Sequence, residues 1–287
     1  MGVSAMSVDV LQEKIRKMKN PSALVLEAFF NWLPVGFSGA EGFRVYYSNL
    51  LRSLKGMVPA VRFGFGSFAL LGGAGLDVLA ELTREAASLG YYVLLDGPEL
   101  LSAEASENMA RSLESAPWNW DALVISPWLG SDAMKPLLEL CRKGKALFCA
   151  VRTGNRSAFE LQDLLSGSRL VHTAAADLVT RHGEGLVGKF GYSHVGAVAS
   201  AGSSDSLRTL RTKYPKLFLL LDGYDYSFGN SKNCAQAFDK LGRGAVACAG
   251  SSIVCAWQEN SQKEPWEAAL EAAGKMKRNL CRYITVL

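Results

Sequence analysis

Along most of the chain, short apolar runs alternate with stretches whose apolar residues recur every three or four positions. These are the patterns of buried parallel strands and of amphipathic helices. The runs fall at residues 23–26, 60–65, 91–95, 122–125, 147–151, 195–199, 217–221 and 245–249. Helical spacing fills the intervals, most clearly over 76–88, 137–142, 204–213 and 266–282, and another amphipathic stretch occupies 8–18. Eight runs, each followed by helix-length chain, give the element count of a closed (β/α)8 TIM barrel in the α/β class. A doubly wound open sheet shares this alternation, so periodicity only ranks the barrel first. Residues 34–41 and 157–191 are long for barrel connections, and the second should hold extra helix. With no repeat or Pro/Gly/Ser-rich linker to divide it, residues 1–287 are expected to form a single barrel domain.

In such a barrel the reactive mouth lies where strands end. That rule gathers Glu27, Arg62 to Phe68, Asp96 to Leu101, Ser126 to Asp132, Arg152 to Asn155, Asp222 to Gly229 and Gly250 to Ser252. Asp96 is expected to bond nearby loop amides, and Glu27, Asp96, Glu99, Asp222 and Asp225 are expected to be dispersed, solvated acids, since no metal-ligand spacing accompanies them. Phe29, Phe30, Trp32, Phe63, Phe65, Phe68, Trp128, Tyr226 and Phe228 gather near predicted strand ends and are expected to fill space rather than line a ligand pocket. His172, His182 and His194 lack a G-x-S-x-G elbow to serve, which leaves them surface or capping roles. Leu71-Gly72-Gly73-Ala74-Gly75 lacks the Lys-Ser/Thr of a phosphate loop and is expected to be an ordinary barrel loop.

Composition narrows the function classes. A formal charge of +4, from 31 basic and 27 acidic residues spread along the chain, does not make a nucleic-acid footprint. The six cysteines include no C-x-x-C pair and mostly sit among apolar residues, as buried thiols of a reducing compartment do. Residues 1–19 lack a signal-peptide core, and no apolar run reaches the roughly 18 residues of a membrane span. A cytoplasmic protein without membrane association, cofactor or metal is therefore expected.

Five segments carry a resemblance that runs nearly end to end: VDVLQEKIRKMKNP at 8–21, ALVISPWLGSD at 122–132, VRTGNRSAFELQDLL at 151–165, GYSHVGAV at 191–198 and SIVCAW at 252–257. In order and spacing the chain resembles the bacterial form of orotidine 5′-phosphate decarboxylase, which removes carbon dioxide from OMP to give UMP. The resemblance implies a catalytic D-x-K-x-x-D at the end of the third strand, where one Asp crowds the substrate carboxylate and the Lys protonates the carbanion. Here Asp96 matches the first Asp, Pro98 stands at the Lys, and Leu101 stands at the second Asp, which in the family reaches into the neighbouring subunit. Arg62 corresponds to the Lys ending the second strand and holds its proton too tightly to act as an acid. Asp96 and Arg62 are thus the catalytic candidates that remain.

By the same resemblance, Glu27 corresponds to the ribose-binding Asp, Thr153 is retained beside Gly154, which stands for a pyrimidine-contacting Ser, and Gly223-Tyr224 keep part of the phosphate loop P-G-Y-G-x-Q-G-G. The rest of that loop carries Asp222 and Asp225, and Ser251 replaces the phosphate-binding Arg. Each such charge change is worth on the order of a few kcal/mol at intermediate dielectric, so OMP binding should weaken by orders of magnitude. The favoured reading is a homologue that has lost decarboxylation and binds another small molecule or a partner at the mouth. The alternative is an OMP decarboxylase of UMP biosynthesis with a divergent site, or a related lyase. A homodimer packed through the mouth is implied by the family.

Overall fold

A computed structural model of the chain describes residues 7–97, 102–225, 229–259 and 262–287. Eight strands form a closed barrel: β1 Ser22–Leu26, β2 Ala60–Gly64, β3 Tyr92–Asp96, β4 Ala122–Ile125, β5 Ala146–Ala150, β6 Val195–Ser200, β7 Leu219–Asp222 and β8 Ala245–Ala249. Around the barrel each strand pairs in parallel with its neighbours in chain order, and β8 closes on β1. This is the (β/α)8 TIM barrel. Its strands read as continuous apolar runs because the barrel interior covers one face and helices the other. The eighth-strand and fourth-strand expectations coincide with the observed bounds, whereas β7 begins two residues later than 217. Leu217 and Phe218 are buried just before that strand, and the Phe218 carbonyl already accepts the Ala197 N–H of β6 at 2.9 Å.

Helix Ser7–Met18 precedes β1 and packs across the amino end of the barrel, burying Val8, Leu11 and Ile15 completely. Their spacing of three and four places them on one face, and each burial contributes about 1.5–3 kcal/mol. Outside β1 and β2, Phe43, Tyr46 and Tyr47 of helix Gly39–Ser53 pack with Phe63 and Phe68 in a continuous aromatic layer. The long 157–191 segment contains helix Phe159–Gln162, an antiparallel pair Leu165–Ser166 with Arg169–Leu170, and helix Val171–Gly183. Gly72 to Gly75 form the first turn of helix Gly72–Ser88 instead of a loop, a correction to the sequence expectation. Among the described residues, no helix is long and apolar enough to cross a membrane.

Candidate functional site

The carboxyl end of the barrel is organised around Arg62. Arg62 pairs in register with Leu94 on β3, two residues before Asp96, so the period-two alternation of strands sends both side chains to the same face. Its Nε donates to Asp96 Oδ2 at 2.7 Å, and Nη2 donates to the same oxygen. Nη1 reaches Asp222 Oδ1 at the end of β7, 3.3 Å away. Burial alone would lower the Arg62 pKa, but Asp96 and Asp222 outweigh it and the guanidinium stays charged. The thiol of Cys248 on β8 lies beside this group and is pushed up to about 12, chiefly by burial, so it is an inert thiol.

Glu27, one residue beyond β1, completes the cluster. Burial raises its pKa, a hydrogen bond with Ser67 opposes the rise, and Asp96 and Asp222 add repulsion. Burial likewise raises the Asp96 pKa, with Arg62 pulling the other way. A Cβ at Gly64 would land on the Glu27 carboxylate, so glycine at the end of β2 is what lets Glu27 lie inward. Three acids against one arginine leave an excess of negative charge. Two sequence expectations are corrected here: Asp96 bonds a guanidinium rather than loop amides, and Glu27, Asp96 and Asp222 converge instead of dispersing. Among the described residues, no group of three or more His, Cys, Asp or Glu side chains is arranged to hold a metal ion. The centre of this acidic group is filled by the Arg62 cation.

Asp225 is set apart from that cluster. Its Oδ2 accepts the Gly250 N–H at 2.6 Å, and Oδ1 accepts the Ser252 hydroxyl. In TIM barrels the loops after the seventh and eighth strands commonly supply backbone donors to a phosphate. In this chain a carboxylate of the β7 loop takes two of the donors on the β8 loop, beside Ser251. Tyr224 turns its hydroxyl to Ser231 at 3.0 Å, and Gly223 and Gly154 lie in contact: a Cβ on Gly154 would sit 3.0 Å from the Gly223 Cα and the Asp222 carbonyl. A serine at position 154 would therefore force the β5 and β7 loops apart.

Thr153 is also engaged within its own loop. Its N–H donates to Gln162 Oε1 at 2.9 Å and its hydroxyl to Asn155 Oδ1 at 2.7 Å. Beneath it Arg152 forms a two-pronged pair with Asp163, both contacts 2.9 Å, and His172 Nδ1 lies 3.1 Å from the same carboxylate. This network had no sequence signal beyond the charged residues themselves. His172 and His194 are buried rather than on the surface; of the expected surface or capping roles His194 takes the second, its Nδ1 accepting the Val8 N–H at the start of helix Ser7–Met18, while His182 is partly buried with Nε2 3.0 Å from Ser131 Oγ.

The aromatic residues divide. Phe63 and Phe68 are core, Phe65 packs edge-on against Trp118, and Phe29, Phe30 and Trp128 are exposed. Pro98, Glu99, Leu100, Leu101, Tyr226 and Phe228 lie outside the described residues.

No protein-family model matches the chain. Orotidine 5′-phosphate decarboxylase of Rhodopirellula baltica is 31% identical over 248 residues, covering 82% of each chain. The chain belongs to the orotidine 5′-phosphate decarboxylase family. Solved structures agree on the fold. Leishmania donovani OMP decarboxylase superposes with a TM-score of 0.74 at 21% identity, covering 96% of this chain and 98% of that one. Leishmania donovani UMP synthase gives 0.77 at 22% identity, and this family barrel, 95% covered, spans 56% of that longer chain.

Proposed function

We propose that this family member has lost OMP decarboxylation and works as a single barrel unit that binds a different small molecule, or a protein partner, at its mouth. The observation that carries this reading is the pairing of Arg62 with Asp96 and Asp222. The cation at the end of β2 is neutralised by two carboxylates, and Glu27 adds a third acid beside them. An OMP molecule brings a carboxylate and a phosphate, and both would enter a field that already has too much negative charge. Asp225 adds to this by occupying the Gly250 N–H and the Ser252 hydroxyl. The substitutions Pro98, Leu101 and Ser251 point the same way, because none of the three can donate a proton or bind phosphate as Lys or Arg does. The competing reading, a decarboxylase with a divergent site, draws on the names of the relatives and on the Asp96–Arg62 pair. Its difficulty is the proton donor, since Arg62 is held in its charged form.

Calorimetry with UMP tests the proposal. The expected dissociation constant is weaker than about 1 mM; a micromolar value would mean that the phosphate is gripped despite Asp225 and would overturn the reading.

We also propose a cytoplasmic homodimer that packs through the mouth. Trp128 and Leu129 after β4, with Phe159, Leu161, Leu164 and Leu165 after β5, are exposed on that end of the barrel, and large apolar side chains concentrated in this way mark association surfaces. Light scattering at micromolar concentration should give about twice the chain mass of 31.0 kDa, and a value at the chain mass would contradict the dimer.

A further inference from the structure

We propose that His194 is a pH-sensitive latch that fastens helix Ser7–Met18 to the base of the barrel and loosens it in mild acid. The first N–H groups of a helix have no acceptor inside it and must find one elsewhere. Here the Val8 N–H donates to the His194 Nδ1, 3.3 Å away and 186 residues on in the chain. An imidazole accepts at Nδ1 only in its neutral form with the proton on Nε2. His194 is fully buried, and its Nε2 has no hydrogen-bond partner among the described residues. Protonation would turn Nδ1 into a second donor facing the Val8 N–H and would place a positive charge at the positive end of the helix dipole. Both changes act on the helix rather than on the barrel wall.

The surrounding groups leave the imidazole as the sensitive element. Asp9, on the same helix, is the carboxylate that acts on His194, and it is tied to the Lys189 and Phe190 amides at 2.9 and 3.2 Å. At the helix start Ser7 Oγ lies 2.6 Å from the Tyr92 hydroxyl and donates to the Asp121 carbonyl at 2.9 Å. From helix Ser131–Arg142, the Cys141 thiol donates to the His194 carbonyl oxygen at 3.9 Å. Burial lowers the His194 pKa and Asp9 raises it only in part. With the folded value below the ordinary 6.5 or so, the latch is complete above that pH and is lost as the pH falls below it.

Hydrogen exchange on the intact protein tests this, with rates corrected for the intrinsic effect of pH. Between pH 7.5 and 5, amide protection over residues 8–18 should fall about tenfold more than protection of the barrel strands. In His194→Gln, whose side-chain carbonyl can accept from Val8 without titrating, this difference should vanish. An unchanged pH response in that variant, or abolition of the response by Asp9→Asn instead, would overturn the proposal. Should the variant not fold, nitrogen NMR of the native ring decides. The neutral ring must carry its proton on Nε2 and must titrate together with the loss of protection, and the opposite tautomer or an independent titration would reject the latch.

Discussion

Arg62→Ala is expected to lose about 3–5 kcal/mol of folding stability, because it removes the partner of a buried carboxylate without removing the carboxylate. Asp96 would be left with Asp222 and Glu27 as its nearest charges, all of one sign. Against a total stability of about 5–15 kcal/mol, this loss brings the barrel close to unfolding. The loss should depend on pH in a defined direction. Burial holds the Asp96 and Glu27 pKa values above their ordinary range, so between the ordinary and raised values the folded chain binds more protons than the unfolded chain. Stability from these groups is therefore greatest in acid and declines as the pH rises through their raised values. The deficit of Arg62→Ala should accordingly be largest near pH 7 and shrink toward pH 5, where the acids can take up protons. Arg62→Lys keeps the charge but cannot reach Asp96 and Asp222 with one planar fork, and should lose about 1–2 kcal/mol. Denaturant titrations at pH 7 and pH 5 measure all of this. An Arg62→Ala deficit below about 1 kcal/mol at pH 7 would mean that the cluster is wetter and weaker than its geometry indicates.

The strands were legible because a parallel barrel buries both faces, and runs such as AVRFG and AVACA then carry their signal locally. The helix at 204–213 was legible for the same reason, its apolar positions Leu207 and Leu210 being the two that are buried. What remained hidden depends on distance along the chain. Arg62 and Asp222 are 160 positions apart, and no periodicity joins them; only the closure of the barrel does. In the sequence Asp96 reads as a partner of loop amides because the resemblance puts Pro98 where its lysine would stand, while the cation it binds comes from the neighbouring strand in the register of Arg62 with Leu94. Asp225 was readable as an acid misplaced near a phosphate loop, but not as the acceptor of the Gly250 N–H, which depends on how the β7 and β8 loops meet. His194 stands in the GYSHVGAV segment of the family resemblance, and nothing local announces that it caps a helix at the start of the chain.

The second large effect concerns the reaction itself. Decarboxylation of OMP needs a group to crowd the departing carboxylate and a proton for the carbon left behind. By the family resemblance Asp96 stands at the position of the acid and Pro98 at that of the proton donor, and Asp96 is tied to Arg62. Arg62 does not replace that donor, since two carboxylates keep it protonated throughout. Ordinary enzymes turn over at about 1–10³ s⁻¹, and loss of the proton donor together with a repelled substrate should remove several powers of ten from such a rate. The most direct measurement is the absorbance change of OMP incubated with the purified protein at neutral pH. A trace that cannot be told from OMP alone is the result expected here, and turnover at or above about 0.1 s⁻¹ would contradict it.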